Sequence, residues 1–234
     1  MQKINSNIAK YVFIALTVLV VCFLILTLIV RFYKTPLGDT LLDYAIYNDS
    51  LIQVKCLVAL GADVKAKNKD GYNALHYAAI NRNSSLEIVQ WLSEYGLDVH
   101  ERVYDGGTTL HLAVASYNLA LAEWLVKQGL DVNAKNDKGV TVLHTAVHGG
   151  DLKVVQWVVE QGADVNAKDN DGMTVLHWAA MRDSVEVIQW LVEQGLDINA
   201  TDNDGETPLD KAINAGSNKS VQWLREHGAK ESGQ

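Results

Sequence analysis

One short motif returns at a nearly constant interval along most of the chain, and this periodicity constrains the fold more than any other feature. Leu-His pairs recur at Leu75, Leu110, Leu143 and Leu176. Leu-Asp pairs extend this series by one interval on either side, at Leu42 and Leu209. A tandem array with a period of about 33 residues predicts a stack in which each unit packs only on its neighbours.

Glycines at fixed positions open and close the units, and they define six repeats. The predicted repeats are residues 38–70, 71–105, 106–138, 139–171, 172–204 and 205–230. They follow an N-terminal tail (1–10), an uncharged segment (11–30) and a linker (31–37), and a C-terminal tail (231–234) ends the chain. The second repeat is slightly longer than the others, and its polar segment 81–85 predicts a longer loop between helices.

Each repeat reads as two short helices followed by a tight turn. In the fourth repeat, residues 141–147 predict a first helix that residues 148–151 break. Apolar residues at helical spacing predict a second helix from Leu152 to Glu160, and Gly162 ends it. Residues 169–172 (Asp-Asn-Asp-Gly) then predict a turn.

Three short segments carry a family resemblance. Residues 141–144 (Thr-Val-Leu-His), 162–167 (Gly-Ala-Asp-Val-Asn-Ala) and 204–209 (Asp-Gly-Glu-Thr-Pro-Leu) resemble the ankyrin repeat. The resemblance implies an all-α solenoid of six helix-turn-helix units with hairpin fingertips. It also implies a concave protein-binding groove formed by fingertips and first helices. The terminal repeats depart from the motif, because Asp43 and Asp210 stand where the inner repeats have His.

Residues 11–30 contain no charge, and fifteen of these twenty are Ile, Leu, Val or Phe. Twenty helical residues span roughly 30 Å, the thickness of the hydrocarbon layer. Insertion of the fifteen apolar residues gains roughly 5 to 9 kcal/mol. The sequence therefore predicts one N-terminal transmembrane helix and a single-pass membrane protein.

Two questions about this segment stay open on the sequence. A cleaved signal peptide is the alternative, although its apolar core usually has about 7 to 15 residues and residues 31–36 offer no small-residue cleavage site. The side of the membrane on which the repeats lie is undetermined, because basic residues flank both ends of the segment.

The charge distribution argues against a nucleic-acid partner. The chain has a formal charge of −8, although its N-terminal part contains Lys3, Lys10, Arg31 and Lys34 and no acid before the first repeat. An acidic repeat region argues against nucleic acid, which requires clustered Lys and Arg. No phosphate loop, nucleophile elbow or paired-cysteine motif is present, so we expect no cofactor, no small-molecule substrate and no enzymatic activity.

Two series of recurring residues invite a functional interpretation. The motif histidines His76, His111, His144 and His177 lie one repeat apart, roughly 8 to 10 Å. That separation is too large for shared zinc ligands at about 2 Å from one ion. We expect each to bond its own fingertip and no metal site. Each Trp of a second series lies shortly before a closing glycine, in the order Trp91, Trp124, Trp157, Trp190, Trp223. These rings pack between repeats or dock a partner or lipid.

The ankyrin resemblance implies that variable fingertip and groove positions contact a protein partner. In this chain they are Tyr104, Asp105, Gly107, Asp137, Lys138, Val140, His148, Asn170, Asp171, Met173, Met181, Arg182, Asn203, Asp204 and Glu206. Their acidic and polar character predicts a partner with a basic or mixed patch. The leading hypothesis is a membrane-anchored protein-binding scaffold. The alternative is a regulatory or inhibitory subunit of a membrane enzyme or channel.

Overall fold

The computed structural model describes residues 17–30, 33–34, 40–82 and 85–233. Helix α1 includes residues 17–30. Twelve further helices follow in pairs: α2 (Leu41–Tyr47), α3 (Leu51–Ala59), α4 (Ala74–Ile80), α5 (Leu86–Glu94), α6 (Thr109–Ala115), α7 (Leu119–Lys127), α8 (Val142–Gly149), α9 (Leu152–Glu160), α10 (Val175–Met181), α11 (Val185–Glu193), α12 (Pro208–Ala215) and α13 (Asn218–Glu226). Over the described ranges the regular structure is all helical, with isolated antiparallel bridges at three fingertips.

A threonine starts most of the first helices by the same chemistry. In α8, the Thr141 side chain accepts a hydrogen bond from the His144 backbone N–H, and the His144 side chain accepts one from the Thr141 N–H. This reciprocal capping box satisfies donors that the helix itself cannot pair. It recurs at Thr40, Thr108, Thr174 and Thr207.

The second helices end at a glycine in the left-handed region, as the sequence predicts. Gly162 has a φ of +94° and follows α9. Its N–H donates to the Val159 carbonyl, and the Ala163 N–H donates to the Val158 carbonyl. This pair of bonds is the Schellman arrangement, in which a residue without Cβ takes the left-handed conformation at little cost.

Two predicted loops have different outcomes. Helix α8 was predicted to break at His148, which is wrong: it continues through Gly149 and ends at Gly150, whose φ is +76°. Two successive glycines can each end a helix, and the second one does so. The longer loop of the second repeat is confirmed at its described ends, since α4 ends at Ile80 and α5 begins at Leu86. Residues 83–84 lie outside the described residues.

The chain divides into two compact units. Unit 1 comprises Met1–Ala78 and Glu87–Leu97, and unit 2 comprises Ala79–Leu86 and Asp98–Gln234. In unit 1, α2 packs on α3, and Leu42, Ile46 and Val54 are fully or almost fully buried.

Unit 2 contains two rows of stacked helices. The first helices α6, α8, α10 and α12 pack on one another in sequence, and the second helices α9, α11 and α13 form another row. The motif leucines occupy the core between these rows, since Leu110, Leu143 and Leu176 are wholly buried and Leu209 is 1% exposed. Burying such a side chain contributes about 1.5 to 3 kcal/mol, which a single repeat lacking neighbours would forgo.

Helix α1 differs from the repeats because its side chains are uncovered. Its large apolar residues from Val18 to Ile29 are 46–65% exposed, whereas Val30 is 3% exposed. Within the described ranges, no helix combines the length and the apolar character required to cross a membrane. The N-terminal tail, residues 11–16 of the predicted transmembrane helix, and most of the linker lie outside the described residues.

Candidate functional site

Unit 2 has four fingertip hairpins, at residues 102–108, 135–141, 168–174 and 201–207, and one polar side chain closes each of the last three. Val103 occupies this position in the first. Oδ1 of Asn136 accepts hydrogen bonds from the N–H groups of Lys138 and Val140, both at 3.0 Å. Oδ1 of Asp169 and of Asp202 makes the equivalent pair of bonds in the next two fingertips. An Asn or Asp side chain that replaces a backbone acceptor in this way fixes a tight turn.

Backbone hydrogen bonds join each fingertip to the next. The Asp137 N–H donates to the Asp105 carbonyl at 2.9 Å. The Asn170 N–H donates to the Lys138 carbonyl, and the Asn203 N–H to the Asp171 carbonyl, both at 3.0 Å. The fingertips therefore form one hydrogen-bonded row rather than independent loops.

The turn at Gly139 shows why this row requires glycine. Gly139 has a φ of +74°, and a Cβ built there would collide with the Asn170 side chain and approach the Asn170 backbone nitrogen to 2.7 Å. Side chains rarely adopt this φ, and the neighbouring fingertip leaves no space for one. The next repeat thus packs directly on the turn.

The structure places most of the predicted contact residues on the surface of unit 2. Exposed are Tyr104, Asp105, Asp137, Lys138, His148, Asn170, Asp171, Met181, Arg182, Asn203 and Asp204. Val140, Met173 and Glu206 are half-buried. Gly107 is buried, so it supports the hairpin through its carbonyl, which accepts from the Val103 N–H, and offers no contact surface.

Two of the exposed residues have a structural task that the sequence did not reveal. Nδ2 of Asn170 donates to the Asp137 carbonyl, and Nδ2 of Asn203 donates to the Asn170 carbonyl, both at 2.9 Å. Their amides therefore hold the fingertip row together.

Trp178 lies on α10 and contacts one carboxylate and two histidine rings of unit 2. Its Nε1–H donates to Oδ2 of Asp169 at 2.9 Å, which fixes the ring. The rings of His144 and His148 meet it edge-on, each with a centroid distance of 5.6 Å. Trp178 is half-buried. Met181, three residues later on the same helix, is 41% exposed.

Three motif histidines, His111, His144 and His177, link successive repeats in addition to bonding the start of their own repeat. Nδ1 of His144 accepts from the N–H and the hydroxyl of Thr141, at 3.3 and 2.8 Å. Nε2 lies 3.2 Å from the Met173 carbonyl of the next fingertip. Since a carbonyl only accepts, this network assigns the proton to Nε2. His111 bonds Val140 and His177 bonds Glu206 in the same way.

These three histidines are held neutral. Burial lowers the pKa of His111, His144 and His177 below the usual value, and the hydrogen bond to a carbonyl opposes this shift only in part. Protonation of Nδ1 would also remove the acceptor on which the Thr capping box depends.

The aspartates of the terminal repeats keep the cap without the imidazole. Oδ2 of Asp210 accepts from the N–H and the hydroxyl of Thr207, both at 2.8 Å. Its oxygens also accept from the Ser232 N–H in the C-terminal tail. Asp43 makes the same bonds with Thr40 in unit 1. A carboxylate has no proton to donate to a carbonyl of a following repeat. Asp210 instead accepts a hydrogen bond from the C-terminal tail.

Three carboxylates of the last fingertip lie close together, and two of them contact a lysine. Asp202, Asp204 and Glu206 offer oxygens that lie within 4.8 Å of one another. Nζ of Lys211 is 2.7 Å from Oδ2 of Asp202 and also contacts Glu206. Burial alone would lower the pKa of Lys211, but the bonds to these carboxylates raise it above the usual value. The ammonium group thus provides the cation in this cluster.

The five tryptophans of the second helices are all half-buried. The ring of Trp91 stacks on Tyr95 at a centroid distance of 5.1 Å, and that of Trp223 stacks on His227 at 3.8 Å. Each partner lies one helical turn later on the same helix or at its end. Half-burial is compatible with packing and with docking, so a docking role for this ladder stays a prediction.

Sequence reasoning missed residues that directly follow the motif His or Asp. Trp178 and Lys211 occupy this position in unit 2, and each bonds the carboxylate nine residues before it. Tyr44 and Tyr77 occupy it in unit 1, where they line a cavity of about 210 Å³ with Asp43 and Tyr47. The sequence could have indicated this position, because a large residue follows the motif His or Asp in four repeats (Tyr44, Tyr77, Trp178 and Lys211).

Comparison with known proteins gives the family. The model of three ankyrin repeats matches residues 19–103, 85–169 and 165–232. The chain belongs to the ankyrin-repeat family. An ankyrin-repeat protein of Rickettsia felis is 37% identical over 81 residues, which are 35% of this chain and 21% of the relative.

Two animal proteins are similar over shorter stretches of the ankyrin repeats. NF-kappa-B inhibitor zeta of Mus musculus is 38% identical over 78 residues, which are 31% of this chain and 10% of the relative. The Notch-regulated ankyrin repeat-containing protein of Homo sapiens is 39% identical over 51 residues, or 22% of this chain and 45% of the relative. Matches to the first two relatives, from Rickettsia felis and Fowlpox virus, span 21% and 25% of their lengths.

Proposed function

We propose that the chain is a protein-binding scaffold whose contact surface is the fingertip row and the first helices of unit 2. The observation that carries this proposal is the hydrogen-bonded fingertip row, which presents variable side chains on a fixed backbone. Preorganised side chains lose little entropy on binding. Ankyrin repeats serve as interaction modules, and the name of one relative, NF-kappa-B inhibitor zeta, describes action on another protein.

The charges of the fingertips support a partner with a basic or mixed patch. The formal charge is zero for residues 102–108, +1 for 135–141, −1 for 168–174 and −3 for 201–207. Lys211 offsets one charge of the last fingertip. The charge therefore becomes more negative from the second of these fingertips to the last, where we expect the basic part of the partner to lie.

Charge reversal with a matched control tests this surface. One variant carries Asp137→Lys, Asp171→Lys and Asp204→Lys. The control carries Glu123→Lys, Glu160→Lys and Glu193→Lys, at exposed positions of the second helices. Both variants change the net charge equally.

We expect photo-crosslinking from position 104 to capture a protein with the wild type and the control, and to lose it in the fingertip variant. Retained capture in the fingertip variant, or equal loss in both variants, contradicts the proposed surface.

We also propose that residues 11–30 tether the chain to a membrane as a single-pass helix. The support is the uncharged sequence of the segment and the exposure of the apolar side chains on α1, which lipid would cover. Changing Val20, Val21 and Leu24 to Arg costs roughly 2.5 to 3.5 kcal/mol for each charge and should release the chain from membranes washed at alkaline pH. Gln128, Gln161 and Gln194 changed to Arg provide the control and should stay bound.

The alternative of a regulatory or inhibitory membrane subunit makes a different prediction for this segment. Replacing residues 11–30 with a neutral polyleucine anchor should preserve partner capture by a scaffold. Loss of capture with membrane attachment intact would favour specific contacts by the helix itself. Protease protection in sealed membranes would establish on which side the repeats lie.

A further inference from the structure

The residue that precedes each fingertip glycine forms a regular charged row in unit 2. These residues are Asp105, Lys138, Asp171 and Asp204, and all four are exposed. Each precedes a glycine whose φ lies between +74° and +78° (Gly106, Gly139, Gly172 and Gly205), so the backbone presents them in equivalent positions. The order of charge along the row is negative, positive, negative, negative.

The spacing of this row is fixed by bonds of the same residues. The carbonyls of Asp105, Lys138 and Asp171 each accept a backbone N–H of the following fingertip, at 2.9 to 3.0 Å. The first helices behind them pack directly on one another, which sets a repeat distance of about 8 to 10 Å. An extended chain covers about 10 Å in three residues.

The basic side chains near the charged row bond other groups. One guanidinium nitrogen of Arg102 donates to the carbonyls of Gly106 and Lys135, and the ammonium groups of Lys135 and Lys168 donate to the carbonyls of Lys168 and Thr201. Lys211 bonds Asp202 and Glu206. Across the described residues, none of these cations forms an ion pair with the charged row.

We propose that the partner of the unit 2 surface presents an extended segment with charged side chains at every third position, in the order basic, acidic, basic, basic. The acidic residue lies opposite Lys138, and the three basic residues lie opposite Asp105, Asp171 and Asp204. The inference rests on the proposed function and specifies the binding segment. Exposed ion pairs contribute little affinity each, so the row selects for the order of charges rather than for total charge.

Blocked peptides with neutral spacers test the order. The matched peptide carries Lys, Glu, Lys and Lys at every third position. The control peptide has the same composition and spacing with Glu at the first position, so neither chain direction matches the row. We expect the full-length protein, in an uncharged detergent, to bind the matched peptide about tenfold more tightly in fluorescence anisotropy.

A charge exchange in the protein provides the decisive comparison. The double variant Lys138→Asp with Asp204→Lys keeps the net charge and changes the row to negative, negative, negative, positive. We expect its preference to reverse, so that the peptide with a terminal Glu binds more tightly. The double variant Glu123→Lys with Lys127→Glu makes the same exchange on α7 and should retain the wild-type preference.

Several results would overturn the proposal: binding of neither peptide, equal binding of both by the wild type, or an unchanged preference in the fingertip exchange. If the fingertip charge reversals abolish partner capture while the peptides are not distinguished, the charge order is wrong and the proposed function stands. If capture is also insensitive to the fingertip charges, both proposals fail.

Discussion

The inner repeats and the last repeat of unit 2 start their first helices with the same capping box. They differ in the residue three positions after the capping threonine, which is His144 in an inner repeat and Asp210 in the last. His144 caps its own helix and donates to the Met173 carbonyl of the next repeat. Asp210 caps its own helix and accepts from the Ser232 N–H of the tail. The difference teaches that one motif position serves two purposes. A histidine also donates a hydrogen bond to the next repeat, whereas the aspartate of the last repeat makes no such bond and accepts one from the C-terminal tail.

The largest effect should follow removal of an inner histidine. His144→Ala removes the imidazole acceptor of the Thr141 N–H and hydroxyl and leaves the Met173 carbonyl without its donor, although Thr141 still caps the helix. We expect a loss of about 2 to 4 kcal/mol in the free energy of unfolding. Denaturant unfolding of the full chain in mild detergent, followed by circular dichroism, measures this loss. A loss no greater than that of Asp210→Ala would break the comparison.

Glycine substitutions separate strain from packing between the same two regions. Gly139 and Gly205 have φ values of +74° and +77°, but only the Cβ of an alanine at Gly139 would meet a neighbour within 4 Å. We expect Gly205→Ala to cost about 1 to 2 kcal/mol from backbone strain alone. Gly139→Ala should cost more, because Asn170 must move. Equal unfolding midpoints for the two variants would show that the next fingertip does not pack tightly on its predecessor.

Asp210→Ala should have a smaller and more local effect. The change removes the carboxylate that accepts from the Thr207 N–H and hydroxyl and from the Ser232 N–H, for about 1 kcal/mol. We expect faster hydrogen exchange in α12 and α13, with little change in α8 and α10. Uniform acceleration throughout unit 2 would mean that the last repeat is not a separable end of the stack.

The smallest expected effect is on the pH dependence of stability, which should differ between the inner repeats and the last repeat. The pKa of His144 is lowered in the fold, so below about pH 6.5 the unfolded chain binds a proton that the folded chain excludes. Stability of the inner repeats should therefore decrease as the pH falls from about 6.5 towards the lower pKa of the folded state. The pKa of Asp210 is also lowered, and its contribution should persist until the pH falls to its ordinary range near 3.8 and below.

Unfolding midpoints measured between pH 7 and 5 test this dependence. His144→Asn should reduce the slope, while Asp210→Asn should leave it unchanged over the same range. An identical slope in all three proteins would show that the inner histidines do not govern acid sensitivity.

The sequence predicted the parts of the fold that depend on contacts within one repeat. The bounds of α9 and the glycine that ends it followed from spacing and glycine placement alone, as did the fingertip turn at residues 169–172. The end of α8 was wrong because Gly149 and Gly150 are both able to end a helix, and packing decides between them.

The hydrogen bonds between repeats could not be predicted from the sequence. The carbonyl that pairs with His144 lies 29 residues later, and any residue type can provide a carbonyl. Asn170 and Asn203 were predicted only as variable contact positions, yet their amides bond the preceding fingertip. Lys211 was missed because its carboxylate partners are recognised only once the fingertip folds back over α12.

The backbone atoms that join the fingertips have one further consequence. Every inner junction uses a main-chain carbonyl and a main-chain N–H, and the Asn170 and Asn203 amides add a second bond at two of them. Duplicating residues 139–171 in frame after Asp171 would add one junction, in which the N–H of the second Asn170 meets the carbonyl of the first Asp171, and would leave the other junctions with their present partners. We expect such a lengthened protein to fold, which gives the lineage a direct way to extend its reach by gene duplication without redesigning either end.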